Sequence, residues 1–138
     1  MPYSVNWLIP DQVIFAHFSG ETTEDDLRGS LISVKDIIES SDNQYVHLIT
    51  DTGDVTKAVP SHKALQILRE IGTHDRLGWN LIIRERSPLV KLGVALTTVL
   101  NKSNTRSLDS LEAAETFLKK MDESLDWENT NRDIVASG

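Results

Sequence analysis

Tyr3-Ser4-Val5-Asn6-Trp7-Leu8-Ile9-Pro10-Asp11-Gln12-Val13-Ile14-Phe15-Ala16-His17-Phe18-Ser19-Gly20, followed at once by Glu21-Thr22-Thr23-Glu24-Asp25-Asp26, is the stretch whose reading sets the topology. Tyr3, Val5, Trp7 and Ile9 alternate with Ser4, Asn6 and the less polar Leu8, a period near two that suits a half-buried strand. Pro10-Asp11 supplies a turn, and Val13, Phe15 and His17 resume the period until Ser19-Gly20 closes it. A parallel return needs a crossover of about a dozen residues, so two strands this close in sequence are antiparallel. The chain opens with a hairpin.

Working outward, Thr22 or Thr23 begins a helix with a capping box to Asp25 or Asp26, and the acids of its first turn suit the positive end of the helix dipole. Leu27, Leu31, Val34 and Ile38 follow at helical spacing until Ser40-Ser41-Asp42-Asn43. Tyr45 to Thr50 is short and rich in β-formers, hence a strand, with Asp51-Thr52-Gly53-Asp54 as its stop. Ala64, Leu65, Leu68 and Ile71 predict a second helix from about Ser61 to His74, and Gly78 to Arg84 a strand with an apolar centre. Ser87-Pro88 is the strongest helix start in the chain, and Leu89, Leu92, Leu96, Val99 and Leu100 form the stripe behind it. A short strand from Thr105 to Leu108 and a capping box in Asp109-Ser110-Leu111-Glu112 lead into a helix carried by Leu111, Ala114, Leu118 and Met121. Past Leu125 the spacing lapses, which predicts one domain over 1–125 and a mobile tail over 126–138, with Trp127 either docked or free. The order β-β-α-β-α-β-α-β-α predicts an α/β domain with four helices and a mixed, mostly parallel sheet whose antiparallel edge is the opening hairpin.

At 138 residues the chain is the size of one domain. Its net charge of −7 argues against general affinity for nucleic-acid phosphates. With no cysteine, disulfides, thiolate metal sites and cysteine nucleophiles are excluded. No run approaches the roughly 18 apolar residues of a membrane span. Met1-Pro2-Tyr3-Ser4 lacks the features of a signal peptide, so a cytoplasmic location is the expectation.

The element order resembles the STAS family, the anti-sigma-factor antagonist domains, and the SpoIIAA-like group related to them. Three local echoes support it: Phe18-Ser19-Gly20-Glu21-Thr22-Thr23, the strand Val46 to Asp51, and Ser107-Leu108-Asp109-Ser110-Leu111-Glu112-Ala113-Ala114. The resemblance covers roughly residues 3 to 123 and implies a non-enzymatic regulatory or protein-interaction module. Family members that act as phosphorylation switches place a Ser or Thr after an Asp and before Ser-Gly at the start of the second helix. Here the stretch is Ala58-Val59-Pro60-Ser61-His62-Lys63, so Ser61 aligns by position but lacks those neighbours. A phosphoserine there would meet free amides at a helix start.

Other constellations have plainer readings. Asp51-Thr52-Gly53 looks like an aspartic-protease triplet, but that fold is nearly all β, and a strand end with a turn glycine explains it. Asp25 and Asp26 lie in the first turn of a helix, where capping accounts for them, and not at a strand end where paired acids would hold magnesium. His17, His47, His62 and His74 show no i, i+4 pairing; His17 and His47 become neighbours only if their strands pair in the right register. No metal or cofactor is expected.

Charge is segregated along the chain. Residues 1–56 carry two basic against ten acidic residues, residues 57–106 nine against three, and residues 107–138 three against eight, for nets of −8, +6 and −5. The plain reading is that the blocks pair with one another in space. The sharper one is an anion or partner site at Arg84, Arg86, Ser87 and Lys91, where the fourth strand ends and the Ser87 helix begins, because open α/β sheets bind ligands at strand carboxyl ends. The function that the family resemblance implies is an interaction module for another protein, acting as monomer or homodimer. The alternative is a domain binding a small molecule, anion or lipid at that junction, with Gly93 allowing close approach.

Overall fold

The computed structural model describes residues 3–72, 74–85 and 105–136. Its strands are β1 (Tyr3–Ile9), β2 (Val13–Glu21), β3 (Val46–Lys57), β4 (Leu77–Ile83) and β5 (Thr105–Leu108), side by side in that order. β1 runs antiparallel to β2 and every later neighbour is parallel. The hairpin turn is closed by Gln12 N–H donating to Ile9 O at 3.0 Å, with Asp11 at φ 66°. The mixed sheet with an antiparallel edge is the architecture the sequence predicts.

Helix α1 (Glu24–Glu39) begins at Thr23, whose hydroxyl accepts from Asp26 N–H while the Asp26 carboxylate accepts from Thr23 N–H, so the second of the two possible capping boxes forms. Its far end is closed by Arg76, which donates to the carbonyls of Ile38, Ser41 and Asn43 at 2.8, 2.6 and 2.9 Å. A cation there satisfies carbonyls that lack helical partners and meets the negative end of the dipole. Helix α2 (Ser61–Ile71) lies beside α1, tied to it by Lys35 Nζ on Ile71 O at 2.9 Å. Helix α3 (Leu111–Met121) starts one residue later than the sequence predicts, because Ser110 and not Asp109 accepts from the Ala113 amide. The four expected helices include the one starting at Ser87, which lies outside the described residues together with Gly93.

The sheet has a core on each side. Val34 and Ile38 of α1 cover Ile14, Ala16, Phe18, Val46 and Leu48 on one face. Ala114 and Leu118 of α3 cover Val13, Phe15, Ile49, Leu81 and Ile83 on the other. Burial of apolar area on both faces explains why β2 is closed to solvent at four successive positions, Val13 to Ala16.

Four expectations need correction. Strict alternation in β1 fails at a register shift between Trp7 and Ile9, and both Leu8 and Ile9 join the α3-side core. β3 does not stop at Asp51-Thr52-Gly53-Asp54 but bulges there and pairs on with Ser19–Glu21 as far as Lys57. Met121 is exposed, not part of the buried stripe. The segment after Leu125 does not hang away as a tail. Trp127 opens a 3-10 turn (Trp127–Asn129), a further helical turn α4 spans Asp133–Ala136, and Leu125, Trp127 and Ile134 pack on the core. Asn131 N–H donates to Leu8 O at 2.6 Å, so this segment covers part of the β1 edge. Single anchors in short turns have no helical or strand period, which is why spacing gave no sign of them.

Candidate functional site

Where β4 ends beside β3, which runs on with β2, Asp51, Asp54, His17 and Arg84 come together. Arg84 directly follows β4 and holds φ 57°, unusual for a residue with a side chain. From there its guanidinium reaches back over β3. Nε donates to the two Asp51 oxygens at 2.9 and 3.1 Å, and Nη2 lies 2.9 Å from Asp51 Oδ2 and 3.0 Å from Asp54 Oδ2. Asp54 Oδ2 also meets His17 Nε2 at 2.7 Å. Asp51 is buried and accepts Gly53 N–H on Oδ1 at 2.9 Å. The bulge in β3 makes this possible, since it places both carboxylates on the same side of the strand.

Gly53 is required by the approach. A Cβ at that position would stand 2.6 Å from Arg84 Cζ and 2.7 Å from Nε. The Asp-Thr-Gly-Asp run is therefore a seat for an arginine, not a catalytic triplet. Hydrogen bonds from His17 and then Arg84 hold the Asp54 carboxyl below the usual range, and the bond to Asp51 raises Arg84 further above its already high value.

This geometry changes the reading of Arg84 as an anion-binding candidate. Two carboxylates already face this guanidinium, so the positive charge it would offer an anion is offset within the fold. Arg86, Ser87 and Lys91, the other members of the expected site, lie outside the described residues. Ser61 opens α2, as its alignment requires; its side chain is likewise outside the description. His17 pairs with Asp51 and His47 with Val13, so the two histidines sit at opposite ends of the sheet and share no ion. Among the described residues no group of three or more His, Asp or Glu could hold a metal, and no helix is long and apolar enough to cross a membrane.

The first two charge blocks pair as the plain reading expects: Lys57–Glu21, Lys63–Glu24, Arg76–Glu39 and Arg84 with Asp51 and Asp54 each set a cation of the middle block against an acid of the first. The exposed pairs add little stability. The Asp51 pair is different because that carboxylate is out of water.

A five-stranded mixed sheet with an antiparallel first strand, α1 on one face and α3 on the other, defines the class: a SpoIIAA-like α/β fold. Among solved structures, that of the anti-sigma factor antagonist SpoIIAA in its unphosphorylated form is similar, with a TM-score of 0.56 over 90% of this chain and 99% of that one at 10% identity. Comparison with family models and with curated proteins finds no match. At that identity the likeness establishes the fold. The sequence missed Asp51 and Asp54 as partners of Arg84, and His17 as a partner of Asp54; the signal available was an Asp-x-Gly-Asp run in a chain with an arginine after the next strand.

Proposed function

We propose that this chain is a non-enzymatic regulatory module that acts by binding another protein. The observation that carries this reading is the likeness over nearly the whole chain to SpoIIAA, a protein named for antagonising an anti-sigma factor. The carboxyl-end cluster supports it. His17, Asp54, Arg84 and Asp51 satisfy one another, an arrangement suited to bracing a surface and not to exchanging protons with a substrate. The surface we assign to the partner is the outer side of α2, where exposed His62, Gln66 and Arg69 follow one another at helical spacing. Arg69 puts a positive charge on that side, which favours a partner with an acidic patch.

The test is affinity capture with the full-length chain, followed by reconstitution with the purified captured protein. The expected result is a saturable complex that the triple variant H62E/Q66E/R69E weakens by about tenfold or more without change in melting temperature. Equal binding by the variant would remove α2 as the surface, and absence of any reconstituted complex would overturn the module reading.

A further inference from the structure

At the amino ends of β3 and β4, opposite the Arg84 cluster, lies an open cleft of about 700 Å³ lined in part by Gln12, Tyr45, His47, Trp79, Met121 and Asp122. Its chemistry is set by a chain of three groups. Trp79 N–H donates to His47 Nδ1 at 2.9 Å, so that nitrogen carries no proton and the imidazole is neutral. The remaining ring proton, on Nε2, is donated to Asp122 Oδ2 at 2.8 Å. Asp122 Oδ1 accepts both the amide, at 3.0 Å, and the hydroxyl of Ser124. The carboxylate is thus oriented on both oxygens by neutral donors.

His47 itself is 5% exposed and its position depends on Gly78, where a Cβ would stand 2.6 Å from Nδ1. Burial pushes the Asp122 carboxyl up, but the bonds from Ser124 and His47 outweigh it and leave it below the usual range. Asp122 therefore presents a full negative charge with an acceptor position left on Oδ2. Both ring nitrogens of His47 are committed to hydrogen bonds within the fold.

The walls point to the occupant. Tyr45 and Met121, 57% and 46% exposed, are two of the three large hydrophobic residues open to solvent among those described, and both line this cleft. Exposed Asp11, Asp42, Glu123 and Asp126 adjoin lining residues in the chain. The nearby cations are exposed Lys120, next to Met121, and Arg76, which is turned onto the carbonyls that end α1, so acids outnumber free cations around the cleft. A negative field, an oriented carboxylate, an aromatic face and a thioether together suit a positive head on an apolar stem.

We propose that this cleft binds a primary ammonium carried on an aliphatic chain, with Asp122 as its counter-ion and Tyr45 and Met121 against the stem. Two sources share that chemistry, a free alkylamine and a lysine side chain of another protein. The site is separate from α2 and does not rest on the function proposed above.

The test is calorimetric titration of the full-length chain at low ionic strength with 1,5-diaminopentane and with N-acetyl-lysine methylamide, using the Nε-acetylated lysine amide as uncharged control. Saturable binding of either amine, at least about tenfold tighter than the control and lost to a similar extent in Asp122→Asn, is the expected result. Tyr45→Ala, at an exposed position that the fold does not need, weakens binding about threefold or more. Preference for diaminopentane identifies a free amine as the natural occupant, and preference for the lysine amide a protein side chain. No saturable binding of either amine, or equal binding of the uncharged control, overturns the proposal.

Discussion

The two ends of the parallel strands use the same residue types for opposite purposes. Each has an aspartate against a histidine and a glycine where a side chain crosses the backbone. At the carboxyl end, Arg84 enters between Asp51 and Asp54, lies over Gly53, and consumes their charge within the fold. At the amino end, no cation enters between His47 and Asp122; neutral donors orient the carboxylate and leave its charge facing an open cleft. Ligand-binding character follows from which charges remain unspent, not from which residue types are present. The cleft proposed above lies at the amino end, whereas open sheets ordinarily bind ligands at the carboxyl end.

That contrast can be broken by comparing variants at the two ends. The largest effect is expected from Asp51→Ala, which strands a partly buried guanidinium and the Gly53 amide; urea unfolding should show a loss of about 2–4 kcal/mol. Asp122→Asn should cost less than half as much, because the Asp122 side chain is 28% exposed against 10% for Asp51. Equal losses would mean that the amino-end carboxylate is as structural as the other. Glycine replacement comes next. Gly53→Ala and Gly78→Ala each force a side chain to move from a Cβ contact of 2.6 Å, for about 1–3 kcal/mol in the same assay. Only Gly78→Ala should also weaken amine binding, since only it displaces the histidine that aims Asp122.

A smaller effect is that of pH. Asp54 and Asp122 both have carboxyls held below the usual range. Each therefore contributes stability that is present above the ordinary carboxylate value of about 4 and is lost as pH falls through the lower folded-state value. Melting temperature followed downward from about pH 5 should fall less steeply for Asp54→Asn and Asp122→Asn than for the wild type. A slope unchanged in Asp122→Asn would show that its hydrogen bonds do not favour the ionised form. The smallest effect is a reference point away from both ends. Thr23→Ala removes the α1 cap bond and should cost about 1 kcal/mol, with no change in amine binding.

Much of the frame was legible because its causes are local. A short Pro10-Asp11 connection forces an antiparallel pair, Thr23 and Asp26 can close a capping box from three residues apart, and the alternation of strand and helix patterns demands parallel crossovers. Where local signals misled, a longer-range contact had overridden them. Asp51-Thr52-Gly53-Asp54 reads as a stop because Asp and Gly favour turns, yet Ser19 to Glu21 were available to pair and the strand continued. Leu8 reads as the polar face of β1, yet the segment around Asn131 closes over it.

The candidate sites were less legible than the frame. Arg84 was singled out on charge and position, but its meaning depends on carboxylates 30 and 33 residues away. His47 and Asp122 are 75 residues apart, and nothing in either neighbourhood names the other. Met121 falls on a helical stripe by spacing, but α3 ends there and the side chain lines the open cleft, 46% exposed.

The sequence by itself determined the element order, the antiparallel opening, the caps and the division of charge into acidic, basic and acidic blocks, because each depends on residues within a few positions of one another or on simple sums. Only the tertiary structure decided which charges cancel. Coulomb and hydrogen-bond energies depend on separation in space and on exclusion of water. The bulge in β3, the left-handed turn at Arg84 and the close approaches at Gly53 and Gly78 set those separations. They set Arg84 against two carboxylates where β4 ends and leave the Asp122 carboxylate beside an open cleft at the other end of the described sheet.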